Sequence, residues 1–166
     1  MVVVAGCGSS SVPSTSQLSR VETGTVARVS DGDTLRLTDG RRVRIVQIDA
    51  PELEADCYGQ AAHRALLRLA SPGTRVTLER DPALDGIDKY GRLLRYIAVG
   101  DRDVGVTLVA EGAAEPYFFR NERGRYAAKL LQAAKRARAA RRGLWGACPG
   151  ARLEPGIGSV TGSASA

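Results

Sequence analysis

Asp33, Asp49 and Glu52, with the arginines Arg44 and Arg92, are the residues whose types and spacing could do chemistry in this sequence. Asp33 closes the turn Asp31-Gly32-Asp33, and Asp49 lies one hairpin further on, so their carboxylates can converge. Two carboxylates with backbone carbonyls and water form a hard-oxygen site of the kind Ca²⁺ takes. Zinc is disfavoured, because His63 is the single histidine and there is no local Cys/His cluster. Glu52 follows Pro51, whose ring stiffens the turn after Asp49. A carboxylate held there can orient or deprotonate a water beside a cation. Each feature alone has a plainer reading: Asp-Gly-Asp is a common turn, and a glutamate after a proline is a common helix start.

Arg44 stands inside an otherwise apolar strand, which implies that it faces a lined cleft or bulk solvent rather than the core. The pentapeptide Asp88-Lys89-Tyr90-Gly91-Arg92 offers two cations and a ring. Arg92, with Arg44 as partner, can neutralise charge on a phosphorane-like transition state. Tyr90 and Tyr117 can stack on a base or hydrogen-bond a terminal phosphate. By itself the pentapeptide also reads as a charged β-turn. His63, between arginines on a helix, reads as exposed and without a role.

The elements that must position these groups can be traced in order. Glu22–Ser30 reads as a strand with a register break near Gly24 or Ala27, which a bulge would explain. Thr34–Leu37 and Arg42–Ile48 follow as strands, separated by the turn at Asp39-Gly40. A regular strand points Arg44 and Asp49 to opposite faces, so serving one site requires the strand to bulge or end between them. Helical spacing runs from Gln60 to Leu69 and stops before Ser71-Pro72-Gly73. Arg75–Glu79 and Leu93–Val99 read as the fourth and fifth strands. Val104–Glu111 reads as a helix capped by Gly112. Ala114–Phe119 is expected to be extended, and Arg125–Arg141 the longest helix, with a basic outer face and Trp145 packing back on the core. Five strands with a helix after the third predict an α+β, mainly β fold: a five-stranded Greek-key barrel of the OB type with three α-helices.

The 166 residues, 43% apolar, suffice for one domain with a real core. The net charge of +6 favours polyanionic partners: nucleic acid, an anionic membrane or an acidic polymer. No run approaches the length of a membrane span. Residues 1–20 read as a signal-like N-terminus and linker, 21–149 as the folded domain, and 150–166 as a floppy tail. Val4-Ala5-Gly6-Cys7, before a Ser-rich stretch, resembles the end of a bacterial lipoprotein signal, although the six residues before Cys7 are short for one. Lipid anchoring at Cys7, plain secretion and a chance tail all remain open. In an exported protein Cys57 and Cys148 can form a disulfide; the alternative is two free thiols.

Taken together, Asp31-Gly32-Asp33-Thr34, Arg44, Ile48-Asp49-Ala50-Pro51-Glu52, Tyr58-Gly59, Asp88-Lys89-Tyr90-Gly91-Arg92, Leu108-Val109 with Gly112, and Gly143-Leu144-Trp145 resemble the staphylococcal nuclease family in order and spacing. The resemblance spans roughly residues 22–147. It implies a Ca²⁺-dependent phosphodiesterase acting on DNA and RNA, at single-stranded or flexible regions, and leaving 3′-phosphorylated products. It casts Asp33 and Asp49 as calcium carboxylates and Ala50 as a backbone-carbonyl ligand. Glu52 becomes the residue that positions or activates water, Arg44 and Arg92 the phosphate arginines, and Lys89, Tyr90 and Tyr117 the nucleotide-binding trio. Three features depart from the family pattern: Ala50 replaces a threonine of its best-known member, Gly105 replaces a usual asparagine, and the approach to Tyr117 is one residue shorter. The expected protein is an exported monomer, secreted or held at the cell surface. The alternative is a non-catalytic nucleic-acid or protein-binding module on the same barrel. Such modules have typically lost these carboxylates and arginines, whereas Asp33, Arg44, Asp49, Glu52 and Arg92 are all present.

Overall fold

A computed structural model describes residues 21–162; Cys7 and the linker after it lie outside the described residues. The elements in chain order are β1 (Val21–Val29), β2 (Thr34–Leu37), β3 (Arg42–Ile45), β4 (Ile48–Asp49), α1 (Gly59–Leu69), β5 (Arg75–Glu79), β6 (Leu93–Val99), β7 (Arg102–Asp103), α2 (Val104–Glu111) and β8 (Glu115–Pro116). A 3₁₀ turn at Phe119–Asn121 leads to α3 (Ala127–Ala139), the one-turn α4 (Leu144–Ala147), β9 (Arg152–Glu154) and β10 (Gly158–Val160).

The sheet runs β3-β2-β1-β5-β6 with the two-residue β7 added beyond β6, and β3 pairs with β6 to close the first five strands, giving the five-stranded barrel and three main helices that the sequence predicts. Closure is parallel, with Val43 opposite Leu93 and Arg44 opposite Leu94, and every other pairing in the barrel is antiparallel. The predicted break in β1 falls between Val26 and Arg28, where the register against β2 shifts. Such a bulge bends one long strand so that it can serve both β2 and β5. Inward side chains of the strands (Val26, Leu35, Leu37, Val43, Ile45, Leu78, Ile97) fill the barrel with Leu66 of α1 and Leu108 of α2. Asp103 caps α2, accepting from Val106 N–H at 2.7 Å, and Gly112 closes it at φ 71°. A Cβ at Gly105 would stand 3.0 Å from Ile45 Cγ2, so the glycine lets α2 pack closely on the barrel.

Four expectations are corrected. The third strand ends at Ile45, and β4 is a separate two-residue strand paired with β8. Leu144 is the buried residue after α3; Trp145 is half-buried beside the Arg138 guanidinium. Pairing in Ala114–Phe119 is limited to β8, after which the chain turns at Phe119–Asn121. Within the expected floppy tail, the described residues 151–162 are ordered: β9 and β10 pair as a hairpin, Ser159 opposite Leu153. The Cys57–Cys148 disulfide ties the loop before α1 to the end of α4. Closing a loop of 91 residues is worth about 4 kcal/mol in the chain-entropy picture.

Candidate active site

The chain must stop being a regular strand between Arg44 and Asp49, and it does so at Gln47, whose φ is 63°. This left-handed residue costs a non-glycine side chain about 1–2 kcal/mol. The surroundings hold it there. Gln47 is buried, its carbonyl accepts from Tyr117 N–H at 2.9 Å, and its amide Nε2 donates to the Glu122 carbonyl at 3.1 Å. The Tyr96 hydroxyl stands 3.0 Å from both Gln47 Oε1 and Asp81 Oδ2. Backbone N–H groups of Ala83 and Arg125 also donate to Asp81. Although burial raises the Asp81 carboxyl, these donors outweigh it and hold it below the usual value. The break therefore rests on a buried polar network anchored by an ionised carboxylate.

With the strand broken, Arg44 and Asp49 share one side and form an ion pair. Thr34 lies opposite Arg44 across the β2–β3 ladder, which places the preceding Asp33 within reach. One guanidinium nitrogen of Arg44, Nη2, meets both carboxylates, at 2.9 Å for Asp33 Oδ2. The turn carrying Asp33 sits close on the segment after β4, because a Cβ at Gly32 would lie 2.6 Å from the Ala50 Cβ and 2.9 Å from that of Ala62. Glycine is what permits that approach. Burial opposes the Arg44 charge, yet Asp33 and Asp49 more than compensate and its pKa is raised.

Arg92 approaches from the start of β6. Its Nε donates to Asp88 Oδ2 at 2.7 Å, and its Nη1 reaches the Thr34 hydroxyl at 3.3 Å. That hydroxyl donates to Asp33 Oδ1 at 2.7 Å, so Thr34 links Arg92 to Asp33 and through it to Arg44. Burial raises the Asp88 carboxyl, but bonds from Arg92 and Tyr90 N–H outweigh it and leave its pKa lowered. Lys89 Nζ and the Arg92 guanidinium lie 5.0 and 5.3 Å from the Tyr90 ring centre. Arg44 lies 5.8 Å from the ring centre of Tyr117.

These groups line one cleft of about 600 Å³. Asp33, Arg44, Asp49, Glu52, Lys89, Tyr90, Arg92 and Tyr117, all expected from the sequence, are brought together in its wall. Ala50 is buried directly behind it, against Gly32. The carboxylates crowd one side. Burial raises the pKa of Asp31, Asp49 and Glu52, and like charges among the group add to each shift. Glu52 presents an exposed side to a ligand or water, although the surrounding protein partly desolvates its carboxyl. Negative charge gathered beside Arg44, with Arg92 and Lys89 opposite, can hold a hard cation and an anionic phosphate side by side.

Several participants have no signature in the sequence. Thr34 is visible only as the residue after Asp33, and Gln47 and Tyr96 act through burial. Asp31 shares the carboxylate cluster, and half-buried His63 interacts with it, contrary to the exposed reading. Ser159 donates its backbone N–H to Asp49 Oδ2 at 2.9 Å from a segment read as a tail.

Residues 42–147 match the family model described as staphylococcal nuclease homologue. The chain is 33% identical over 110 residues to the thermonuclease of Staphylococcus intermedius, covering 63% of this chain and 62% of that one. It is 32% identical over 108 residues to the SPbeta prophage-derived endonuclease YokF of Bacillus subtilis (strain 168), covering 62% and 36%. Endonuclease YncB of the same organism is 31% identical over 108 residues, covering 62% and 50%. The aligned stretch thus spans between about a third and three-fifths of these relatives' lengths.

Proposed function

The chain belongs to the staphylococcal nuclease family, and from that premise we propose that it is a Ca²⁺-dependent nuclease cutting phosphodiester bonds of DNA and RNA. The observation that carries this reading is the convergence of Asp33, Asp49, Glu52, Arg44 and Arg92 on one cleft.

The donor set fits a hard divalent cation. Asp33 and Asp49 offer oxygens alone, and the raised carboxyls around them mark negative charge that Arg44 only partly offsets. Among the described residues no group of three or more His, Cys, Asp or Glu is arranged to hold a metal, so two carboxylates would share the ion with the Ala50 carbonyl, water and substrate oxygens. Bound there, calcium would supply positive charge to the non-bridging phosphate oxygens. Arg44 and Arg92 add fixed charge as the transition state gains negative charge, each worth about 3–4 kcal/mol. Glu52, ionised, takes a proton from the attacking water. The new bond forms at phosphorus, and the bond from phosphorus to the 5′ oxygen breaks. That oxygen leaves as a hydroxyl with a proton from solvent, and phosphate stays on the 3′ side. Lys89, Tyr90 and Tyr117 bind the nucleotide. Rings at the rim favour unpaired bases, hence single-stranded or flexible regions.

We further propose an exported monomer, secreted or anchored through a lipid on Cys7; the disulfide supports export, because such bonds persist in oxidising compartments. The deciding experiment measures DNA and RNA hydrolysis with added Ca²⁺ and with chelator. Cleavage that needs Ca²⁺ and leaves 3′-phosphate ends is expected; unchanged cleavage under chelation removes the metal from the mechanism.

A further inference from the structure

The hairpin β9–β10 begins after residue 147, where the family match ends, and the chemistry above makes no use of it. It nevertheless closes on the carboxylate side of the cleft. Ser159 N–H donates to Asp49 Oδ2 at 2.9 Å, while Arg44 holds Oδ1. The Ser159 hydroxyl has no hydrogen-bond partner among the described residues, and the link to Asp49 is made by the backbone. One residue earlier, Gly158 has φ 107°, and a Cβ there would stand 2.5 Å from Asp49 Oδ2. The contact thus needs glycine twice over, for its backbone angle and for its lack of a side chain. The hairpin is itself tied down on two sides: Phe118 N–H donates to the Pro155 carbonyl at 2.7 Å, and Cys57 N–H to the Gly162 carbonyl at 2.8 Å. The second tie is made at a disulfide cysteine.

We propose that this hairpin supports the cation site, with Gly158 and Ser159 as positioning residues for Asp49. The inference rests on the calcium reading given above. Asp49 ends a two-residue strand just past the break at Gln47, so its own strand offers little support. An N–H on one lone pair of Oδ2 fixes the carboxylate plane and leaves a second lone pair on that oxygen for a metal. A backbone donor adds no charge to compete with the cation. Hydrogen bonds behind ligating carboxylates typically contribute 10–100-fold in metal affinity.

Two variants disturb the contact in different ways. Ser159→Pro removes the donor and puts a ring methylene where the N–H now meets Oδ2. Gly158→Ala drives a methyl group at Oδ2. Gly156→Ala is the control, since a Cβ there meets nothing within 4 Å. Ca²⁺ is titrated calorimetrically into each oxidised full-length protein, and thermal unfolding in chelator checks that the fold survives. The expected result is affinity about 10–100-fold weaker in Ser159→Pro and Gly158→Ala, with Gly156→Ala matching the wild type. Saturating Ca²⁺ should return most of the turnover in both, which a collapsed site would not allow. Wild-type affinity in both variants, or tighter binding, overturns the hairpin's role and leaves the nuclease reading standing. An equal loss in Gly156→Ala also overturns it, by tracing the effect to the hairpin at large. If the wild type itself takes up no Ca²⁺, the calcium reading falls, and the hairpin's role with it.

Discussion

Replacing Arg44 by methionine keeps most of the side-chain volume and removes the charge that now stands between Asp33 and Asp49. The Arg44 and Asp33 side chains are 12% and 8% exposed, and that of Asp49 is 30% exposed. Deleting one partner of a buried ion pair costs 3–5 kcal/mol, because the other charge stays desolvated without compensation. Asp49 keeps some solvent and its bond from Ser159, so the low end applies, and a loss of about 3 kcal/mol in chelator is expected. Calcium should then act more strongly on the variant than on the wild type. A ligand at a hundred times its Kd stabilises the fold by about 2.7 kcal/mol. In Arg44→Met the cation replaces the missing counter-charge, binds more tightly, and recovers most of the deficit. Activity should not follow, since the arginine's charge on the phosphate is gone; a fall of about 10²–10³ in turnover is expected even at saturating Ca²⁺. Urea unfolding of the oxidised protein with and without Ca²⁺, beside a DNA hydrolysis assay, measures both. A loss below 1 kcal/mol in chelator, or a Ca²⁺ increment no larger than the wild type's, would show that Arg44 is not the counter-charge of this site. Turnover restored by Ca²⁺ would remove it from phosphate binding.

Glu52→Gln should lower the hydrolysis rate by about 10²–10⁴ while DNA affinity, read by fluorescence anisotropy in Ca²⁺, stays within a few-fold; near-normal turnover would exclude Glu52 as the base. The raised carboxyls of Asp31, Asp49 and Glu52 predict a pH-dependent response to metal. Because burial and mutual repulsion favour their protonated forms, the stability they contribute is full below the ordinary values of 3.8 and 4.5 and is lost as pH rises through the raised ones. Calcium reverses that loss, so the Ca²⁺-induced rise in Tm should shrink on acidification while the pH is still above 4.5; a constant increment down to pH 4 contradicts the cluster. Tyr96→Phe removes the hydroxyl shared by Asp81 and Gln47 and should cost about 1.5–3 kcal/mol in urea unfolding, the range for bonds to charged groups. A change under 0.5 kcal/mol would mean that the network does not hold the break.

What could be read in the sequence follows from range. The limits of β5, β6 and α2 come from side-chain periodicity and from glycines at turns, which are local signals. Asp33, Arg44, Asp49, Glu52 and Arg92 are visible because each has a chemistry that its local element does not need. Even the break in the third strand follows from requiring Arg44 and Asp49 to face one site. The position of that break, and the means of holding it, do not. Gln47 shows no turn signature, since its left-handed backbone is fixed by Tyr96, Glu122 and Tyr117, residues distant in sequence. The C-terminal hairpin is missed for a related reason: its Gly/Ser-rich composition reads as flexible, while its order comes from contacts with Asp49, Phe118 and Cys57.

The same distinction explains why the site stands at a strand break. A regular β3–β4 strand would keep its backbone bonds but turn Asp49 away from Arg44, and the two carboxylates could not share a guanidinium or a cation. The left-handed turn at Gln47 costs about 1–2 kcal/mol, and one buried network offsets it: the Tyr96 hydroxyl, the Glu122 carbonyl and the Tyr117 N–H, each a bond worth about 1 kcal/mol. Tyr117 belongs to both sides of that balance. Its N–H secures the break, and its ring lies against Arg44 in the cleft. A shift of the 116–119 segment therefore moves the Tyr117 ring and the Asp49 carboxylate together. Substitutions that loosen this segment should lower substrate affinity and Ca²⁺ affinity in the same variant.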